Sequence, residues 1–222
     1  MKIALIISFT ICANLVARWF VKDDAPYRLF HSSAIIVSIF TLLILYGFLQ
    51  LTTLATLLAH YPLYYLFLFA LTVTAQTDAQ TLLISRWGTI YLFPVALIAA
   101  NSDLLPITPL TTLFGALLGL LTLSLCAYLG RRWSGQEAIG QGDIDLLITI
   151  GAFLGPNGCW CSLLCGSIIG SLYGVGLLII HGSVARKKPV PFGTFLAFGA
   201  FFTFAYLNHP PLSQFFAQYL PL

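Results

Sequence analysis

Two aspartates stand at the edges of apolar segments and have the side chain that acid–base chemistry needs. Asp78 follows the stretch LFLFALTVTAQT, and Asp143 stands in GQGDIDLLITIGAFLG at the start of another apolar run. A carboxylate near the hydrocarbon of a membrane is costly, which makes each a functional candidate. The alternative is that each aspartate only marks a helix end, where acids and polar caps are common. Two such residues among seven acidic residues favour a functional role.

A pair of neighbouring carboxylates supports hydrolysis of a peptide bond by water. Two carboxylates that share a site do not both ionise readily, so one stays charged while the other keeps its proton. The charged one acts as general base on water, and the protonated one acts as general acid. Gly140 and Gly142 allow an extended substrate to approach the backbone closely. The sequence therefore indicates aspartyl protease chemistry.

The remaining candidates are weaker partners for this chemistry. Asp145 lies two residues after Asp143, and residues two apart do not share a helix face. Asp78 is therefore the better partner for Asp143, and Asp145 is interpreted as a loop or substrate-contact residue. Glu137 lies in the loop ahead of the two glycines. The five cysteines form no CxxC pair, so we expect no metal site and no cofactor.

The composition places these residues in a membrane protein. Of the 222 residues, 59% are hydrophobic and 8% are charged, whereas soluble domains carry about 25% charged residues. This excludes a soluble enzyme, a disordered protein and a coiled coil. The net charge of +3 is small and the basic residues are scattered, so we expect no nucleic-acid binding.

The predicted fold class is all-α: a polytopic membrane protein with about eight transmembrane helices in a single domain, residues 1–222. A spanning helix needs about 20 residues. The apolar runs are 3–19, 33–53, 61–77, 87–101, 107–130, 144–156, 159–181 and 192–208. In the seventh run, a set of small residues predicts a helix-packing face: Gly166, Gly170, Ser171, Gly174 and Gly176.

The basic residues predict the orientation of these helices. Nine of the ten Lys and Arg residues lie in alternate connections, after the first, third, fifth and seventh runs, and Lys2 is the exception. Such connections are cytoplasmic by the positive-inside rule. Both termini are therefore predicted outside, and Asp78 and Asp143 are predicted at the cytoplasmic ends of their helices.

Three segments resemble the type IV prepilin peptidases, the bacterial aspartyl proteases of the inner membrane. Residues 140–143 read Gly-Gln-Gly-Asp, which is similar to the GxGD signature of that family. TDAQTLLISR resembles the segment of the first aspartate, and VPFGTFLAFGAF, residues 190–201, resembles the late segment PFGPFLALGA. The three occur in the family's order, and the resemblance is strongest over residues 70–202.

This resemblance implies a leader peptidase whose catalytic residues are Asp78 and Asp143. It implies supporting or substrate-binding roles for Gly140, Gly142, Asp145 and Glu137, with no metal and no cofactor. The substrates would be type IV prepilins or type II secretion pseudopilins. Their short basic leader would be cut after a Gly and before an apolar helix, at the cytoplasmic face of the bacterial inner membrane. The implied partners are this substrate and the lipid bilayer.

Some positions depart from the family's pattern and keep alternatives open. Ser85 and Arg86 stand where the family usually has Pro and then Asp or Asn, and Asp145 stands where it usually has Lys. A non-catalytic member that binds prepilin is one alternative. A proton- or ion-coupled transporter is another, and it predicts acids near the membrane midplane. Many members carry two CxxC pairs associated with N-methylation; this sequence has none, so the resemblance gives no basis for methyltransferase activity.

Overall fold

The computed structural model describes residues 2–21, 38–39, 60–134, 139–182 and 190–208. The regular elements in these ranges are α1 (Lys2–Val21), α2 (Leu63–Thr81), a 3₁₀ turn (Arg86–Gly88), α3 (Leu92–Asn101), α4 (Pro109–Ser134), α5 (Gln141–His181) and α6 (Phe192–Asn208). No strand occurs within them. The predicted all-α class is confirmed for this part of the chain.

Two described helical segments are long and apolar enough to cross a membrane, and the second of them is interrupted at Gly155. They cover Pro109–Trp133 and Gln141–Ile180, and Phe192–Leu207 is a shorter apolar helix. The predicted second run, 33–53, falls almost wholly outside the described residues. The count of eight spans and the outside location of both termini therefore stay predictions.

The helix α3 is shorter than the apolar run 87–101 that predicts it. The first residues of that run form the 3₁₀ turn Arg86–Gly88, which ends at Thr89 with φ −125° and ψ −100°. The helix itself has 10 residues, which rise about 15 Å, or half of a hydrocarbon core. The start of the run packs on α2 before α3 begins, since a Cβ on Gly88 would lie 3.7 Å from the Thr74 hydroxyl oxygen.

The helix α5 is interrupted at Gly155, where the chain reverses direction. Gly155 has φ 71° and ψ −176°, which is not helical, and Pro156 follows it. Glycine adopts a positive φ without the clash of a Cβ, and proline cannot continue a preceding helical turn. The first half of α5 starts beside the start of α6, near Gly193, whereas the second half runs antiparallel to α6. The two halves therefore run in opposite directions, and the reversal lies close to the predicted boundary between the sixth and seventh runs.

Glycines bring α4 and the first half of α5 into backbone contact. A Cβ on Gly115 would collide with the carbonyl oxygen of Gly151, and a Cβ on Gly151 would collide with that of Gly115. One turn along α4, a Cβ on Gly119 would lie 2.6 Å from the carbonyl oxygen of Leu147. Small residues at a helix interface permit such an approach, which gives van der Waals contact along both backbones.

The predicted small-residue face in the second half of α5 packs over only part of its length. A Cβ on Gly166 would lie 2.9 Å from the Cα of Leu196, and one on Gly170 would lie 3.3 Å from the Phe195 ring. Among the described residues, nothing lies within 4 Å of such an atom on Gly174 or Gly176. The predicted face is therefore in contact at Gly166 and Gly170, and it stays a prediction for Gly174 and Gly176.

One end of the bundle collects the ends and starts of several helices. The helix α2 ends there, and the first half of α5 and the helix α6 begin there. We call it the aspartate end and define it by Asp78, Asp143 and Gly193. At the other end, Phe67 stacks on Phe153 with ring centroids 4.6 Å apart, and Tyr64 contacts Phe204 at 4.9 Å. These buried rings fix α2 against α5 and α6, and so fix the relative positions of the side chains at the aspartate end.

Candidate active site

Asp78 lies in the last turn of α2 and is 4% exposed. The helix ends just beyond it because Leu82 adopts a left-handed conformation, with φ 58°, and donates its N–H to the Asp78 carbonyl. The Asp78 Oδ2 accepts a hydrogen bond from the backbone N–H of Thr194 at 2.7 Å. The Thr194 hydroxyl lies 3.0 Å from the same oxygen and 3.1 Å from the carbonyl of Ala75. Thr194 therefore fixes this carboxylate from across the bundle.

Asp143 lies in the first turn of α5. Its Oδ2 accepts a hydrogen bond from the backbone N–H of Gly140, at 3.3 Å. Gly140 is the residue before the helix and has an extended backbone, with φ −73° and ψ 150°. A carboxylate in this position is stabilised by the partial positive charge at a helix N-terminus. The Oδ2 of Asp143 thus accepts the hydrogen bond at the start of the helix, while Oδ1 faces α6.

The two carboxylates meet at Gly193, the second residue of α6. A Cβ built on Gly193 would lie 3.1 Å from Asp78 Oδ2 and 3.2 Å from Asp143 Oδ1. The two oxygens are therefore separated by no more than the sum of these distances. The same Cβ would lie 2.5 Å from Ile84 Cδ1. Glycine is required here because any side chain would fill the space between the carboxylates.

The structure places Asp145 in α5 rather than in a loop, because the helix begins at Gln141. Asp145 is 5% exposed, and its Oδ2 lies 3.5 Å from Arg86 Nε. The Gln141 amide donates to its Oδ1 at 3.4 Å. The interpretation of Asp145 as a loop residue is therefore wrong. Arg86 and Asp145, two positions at which this sequence departs from the family's pattern, form an ion pair with each other.

The structure describes two of the other three predicted site residues, Gly140 and Gly142, and both lie at the aspartate end. Gly142 contacts Ile84: a Cβ on Gly142 would lie 2.7 Å from the Ile84 Cβ. Gly140 supplies the N–H that caps Asp143. Glu137 lies outside the described residues. The structure therefore brings Asp78, Asp143, Gly140 and Gly142 to one place and puts Asp145 beside it.

Two residues of this site were missed by the analysis of the sequence, namely Gly193 and Thr194. Both lie in VPFGTFLAFGAF, the late segment that resembles the family. The contact of Thr194 with Asp78 spans 116 residues of sequence, which no local pattern reveals. The signal that was available was the resemblance of this segment, combined with its position at the start of a helix.

The acidic groups that the structure places at this site are the two carboxylates. Among the described residues, no group of three or more His, Cys, Asp or Glu side chains is placed to hold a metal ion. The described ion pair at this end is that between Arg86 and Asp145, which leaves both carboxylates of the site without a basic partner in this part of the chain. Two close carboxylates without such a partner are able to share a proton.

Comparison with known proteins identifies the family of this chain. The sequence profile described as the type IV leader peptidase family matches residues 63–175, which is half of the chain. The chain belongs to this family. The matched residues hold Asp78 and Asp143 and end before Gly193 and Thr194.

Curated members of the type IV leader peptidase family show the same likeness. A prepilin leader peptidase/N-methyltransferase of Aeromonas salmonicida is 36% identical over 83 residues, which are 37% of this chain and 28% of that protein. The Pseudomonas aeruginosa protein of that name is 31% identical over 54% of this chain and 47% of its own length. The Bacillus subtilis one is 31% identical over 63% of this chain and 54% of its own length. The chain thus spans about a quarter to a half of the length of these relatives. No solved structure matches the chain significantly.

Proposed function

We propose that this protein is a leader peptidase that cuts prepilin-type substrates with Asp78 and Asp143 as an aspartyl dyad. The observation that carries the proposal is the convergence of the two carboxylates on Gly193, where a Cβ would lie 3.1 Å from Asp78 Oδ2 and 3.2 Å from Asp143 Oδ1. Membership of the type IV leader peptidase family supports the reaction type. The names of the relatives, prepilin leader peptidases, support a prepilin as the substrate.

The proposed reaction uses one water molecule and one shared proton. The ionised aspartate takes a proton from water, and the resulting hydroxide adds to the carbonyl carbon of the scissile bond. The protonated aspartate donates its proton to the leaving nitrogen, and the C–N bond breaks to give a carboxylic acid and an amine. The proton taken from water replaces the one that was given up, so the dyad again holds one proton. No acyl-enzyme forms, because both carboxylates act on protons.

The same proposal places the site at the cytoplasmic face of the bacterial inner membrane. Arg86, Arg131 and Arg132 all lie towards the aspartate end, since α2 and α4 both end there. Basic residues mark cytoplasmic connections. A substrate with a short basic leader and a following apolar helix would then present its cleavage site at the membrane surface, with the helix in the bilayer.

The proposed function is tested with the purified full chain in liposomes and a prepilin-type substrate. We expect a single cut between the basic leader and the apolar helix, identified by mass spectrometry of both products. We also expect hydroxylamine to trap no acylated product, since water attacks directly. Stable binding of uncut substrate by the unaltered protein would support the non-catalytic alternative and contradict the proposal.

The pH dependence of cleavage provides a further prediction. The reaction needs the dyad with a single proton, so loss or gain of one proton stops it. We therefore expect kcat/KM to fall on both the acidic and the alkaline side of its optimum. The measurement is the initial rate across a pH series at constant ionic strength. A rate that rises steadily with pH, without an alkaline fall, would contradict a shared proton.

The Thr194 hydroxyl is predicted to contribute to the rate. Thr194→Val keeps the β-branched shape and the backbone N–H that binds Asp78, and it removes only the hydroxyl. A hydrogen bond to a charged group contributes about 1.5–3 kcal/mol, so we expect kcat/KM to fall about 10- to 100-fold. The control is Thr203→Val in the same helix, whose buried hydroxyl has no hydrogen-bond partner in the described part of the chain. Equal rates for the two variants would show that the Thr194 hydroxyl has no part in the reaction.

A further inference from the structure

A short segment that follows α2 and includes the 3₁₀ turn lies across the aspartate end. We call this segment, residues 82–88, the strap. It starts at Leu82, where α2 ends, and it carries Ile84 and Arg86. The Ile84 side chain packs on the α-carbons of both Gly142 and Gly193. Because Gly193 lies between the two carboxylates, Ile84 forms a wall of the space in which a peptide bond would be cut.

The polar contact between the strap and α5 is the ion pair of Arg86 with Asp145. In the described residues, the hydrogen bonds of the strap are local: Leu82 bonds Asp78, Leu83 bonds Thr81, and Gly88 bonds Ser85. None of these ties the strap to α5. The Arg86 side chain is 65% exposed, whereas that of Asp145 is 8% exposed. An exposed cation is thus paired with a nearly buried carboxylate.

The ion pair between Arg86 and Asp145 lies close in sequence to the residues that form the site. Arg86 lies two residues after Ile84 on the strap, and Asp145 lies two residues after Asp143 on α5. Holding Arg86 on Asp145 therefore holds Ile84 on Gly142 and Gly193, directly beside the carboxylates. Burial makes the pair costly to break from one side, because the remaining carboxylate would stay buried without its counter-charge.

We propose that Arg86 and Asp145 are a positioning pair, whose ion pair holds the strap so that Ile84 forms a fixed wall beside the two carboxylates. Neither residue of the pair touches the peptide bond that is cut. What matters is the attraction between the two side chains, and not which of them carries the positive charge. For its kinetic test, this inference rests on the proposed peptidase function.

The kinetic test is a charge-exchange cycle on the full chain in liposomes, with a prepilin-type substrate. Arg86→Asp and Asp145→Arg, each alone, place like charges opposite each other and free the strap. Since a misplacement of about 1 Å costs up to about 100-fold in rate, we expect each to lower kcat about 10- to 100-fold and to change KM less than about threefold. The double variant Arg86→Asp with Asp145→Arg restores the attraction, and its kcat should recover to within about fivefold of the unaltered protein.

The matched control is Arg132→Asp, which makes the same change of charge at an exposed position of α4, towards the same end. It should leave kcat and KM unchanged. A double variant no faster than the slower single variant would overturn the proposal. So would a rise in KM with constant kcat on changing Arg86, because that result assigns Arg86 to substrate binding.

Limited proteolysis tests the pair without any peptidase activity. Trypsin cuts after Arg86 and after Arg132, and a tryptophan follows each of them. In the variant Asp145→Asn, in detergent, we expect cutting after Arg86 to become several-fold faster relative to cutting after Arg132. An unchanged ratio would overturn the positioning pair. If the unaltered protein cuts no prepilin but this ratio changes, the proposed function fails and the positioning pair stands.

Discussion

Replacement of either Asp78 or Asp143 by Asn is expected to abolish leader cleavage, with a fall in rate of at least about 1,000-fold. Asparagine has nearly the same size and keeps an oxygen that accepts the hydrogen bonds from Thr194 or Gly140. It cannot take a proton from water or pass one to a leaving nitrogen. The chemistry is therefore removed while the packing of the site is retained. The measurement is the amount of mature product at intervals, followed by gel mobility.

A matched control for these variants is Asp103→Asn. Asp103 is exposed and has φ 54°, a left-handed conformation that asparagine also adopts. This residue lies after α3, away from the aspartate end, and its replacement should not alter the rate. Normal processing by Asp78→Asn or Asp143→Asn, in protein that is inserted and folded, would contradict the proposed dyad.

Gly151→Val is expected to have the largest effect on stability. A side chain at this position meets the backbone of Gly115 in α4, which cannot move without separating the two helices. Overpacking of this kind costs about 1–3 kcal/mol, and more where backbone must shift. We expect the unfolding temperature in detergent to fall by several degrees and the yield of folded protein to drop. Cleavage should fall with the folded fraction, since Asp143 is on the displaced helix.

The control for this prediction is Gly174→Val in the second half of the same helix. In the part of the chain that the structure describes, nothing lies within 4 Å of a Cβ at Gly174, so the change adds the same side chain and the same helix propensity without a clash there. Comparing the thermal unfolding of the two variants separates the effect of the packing clash from the effect of the change in helix propensity. Equal melting temperatures would show that the contact between Gly115 and Gly151 does not stabilise the fold.

The residues that the sequence predicts correctly are those with a local signature. Apolar runs indicate helices because burial in lipid requires continuous hydrophobic length, and they locate α2, α4 and α6 to within a few residues. The asymmetry of basic residues places Asp78 and Asp143 at ends that the structure also brings together. The predicted boundary between the sixth and seventh runs lies close to Gly155, where glycine and proline in succession interrupt α5.

The contacts that the sequence does not predict are those between distant segments. In an apolar helix every face is hydrophobic, so the run gives no information on which side meets a neighbour. The contact of Gly115 with Gly151, and that of Thr194 with Asp78, both depend on how each helix is rotated about its own axis. The pairing of Arg86 with Asp145 does not follow from the sequence for a related reason, because it joins two segments that are far apart in the chain. The structure shows the two residues to be two halves of one interaction.

The hydroxyl of Thr194 carries a single hydrogen but lies within bonding distance of two oxygens, on Asp78 and on Ala75. When Asp78 is ionised, this hydrogen is directed at the carboxylate. When Asp78 holds the proton, the acid donates to Thr194, and the threonine hydrogen turns to the helix carbonyl. Both arrangements use the same positions of the heavy atoms, so the local network follows a change of protonation by rotating one O–H bond. In the proposed reaction, a proton can therefore enter or leave this aspartate without a shift of helix α2 or α6, which keeps the reorganisation of the site small.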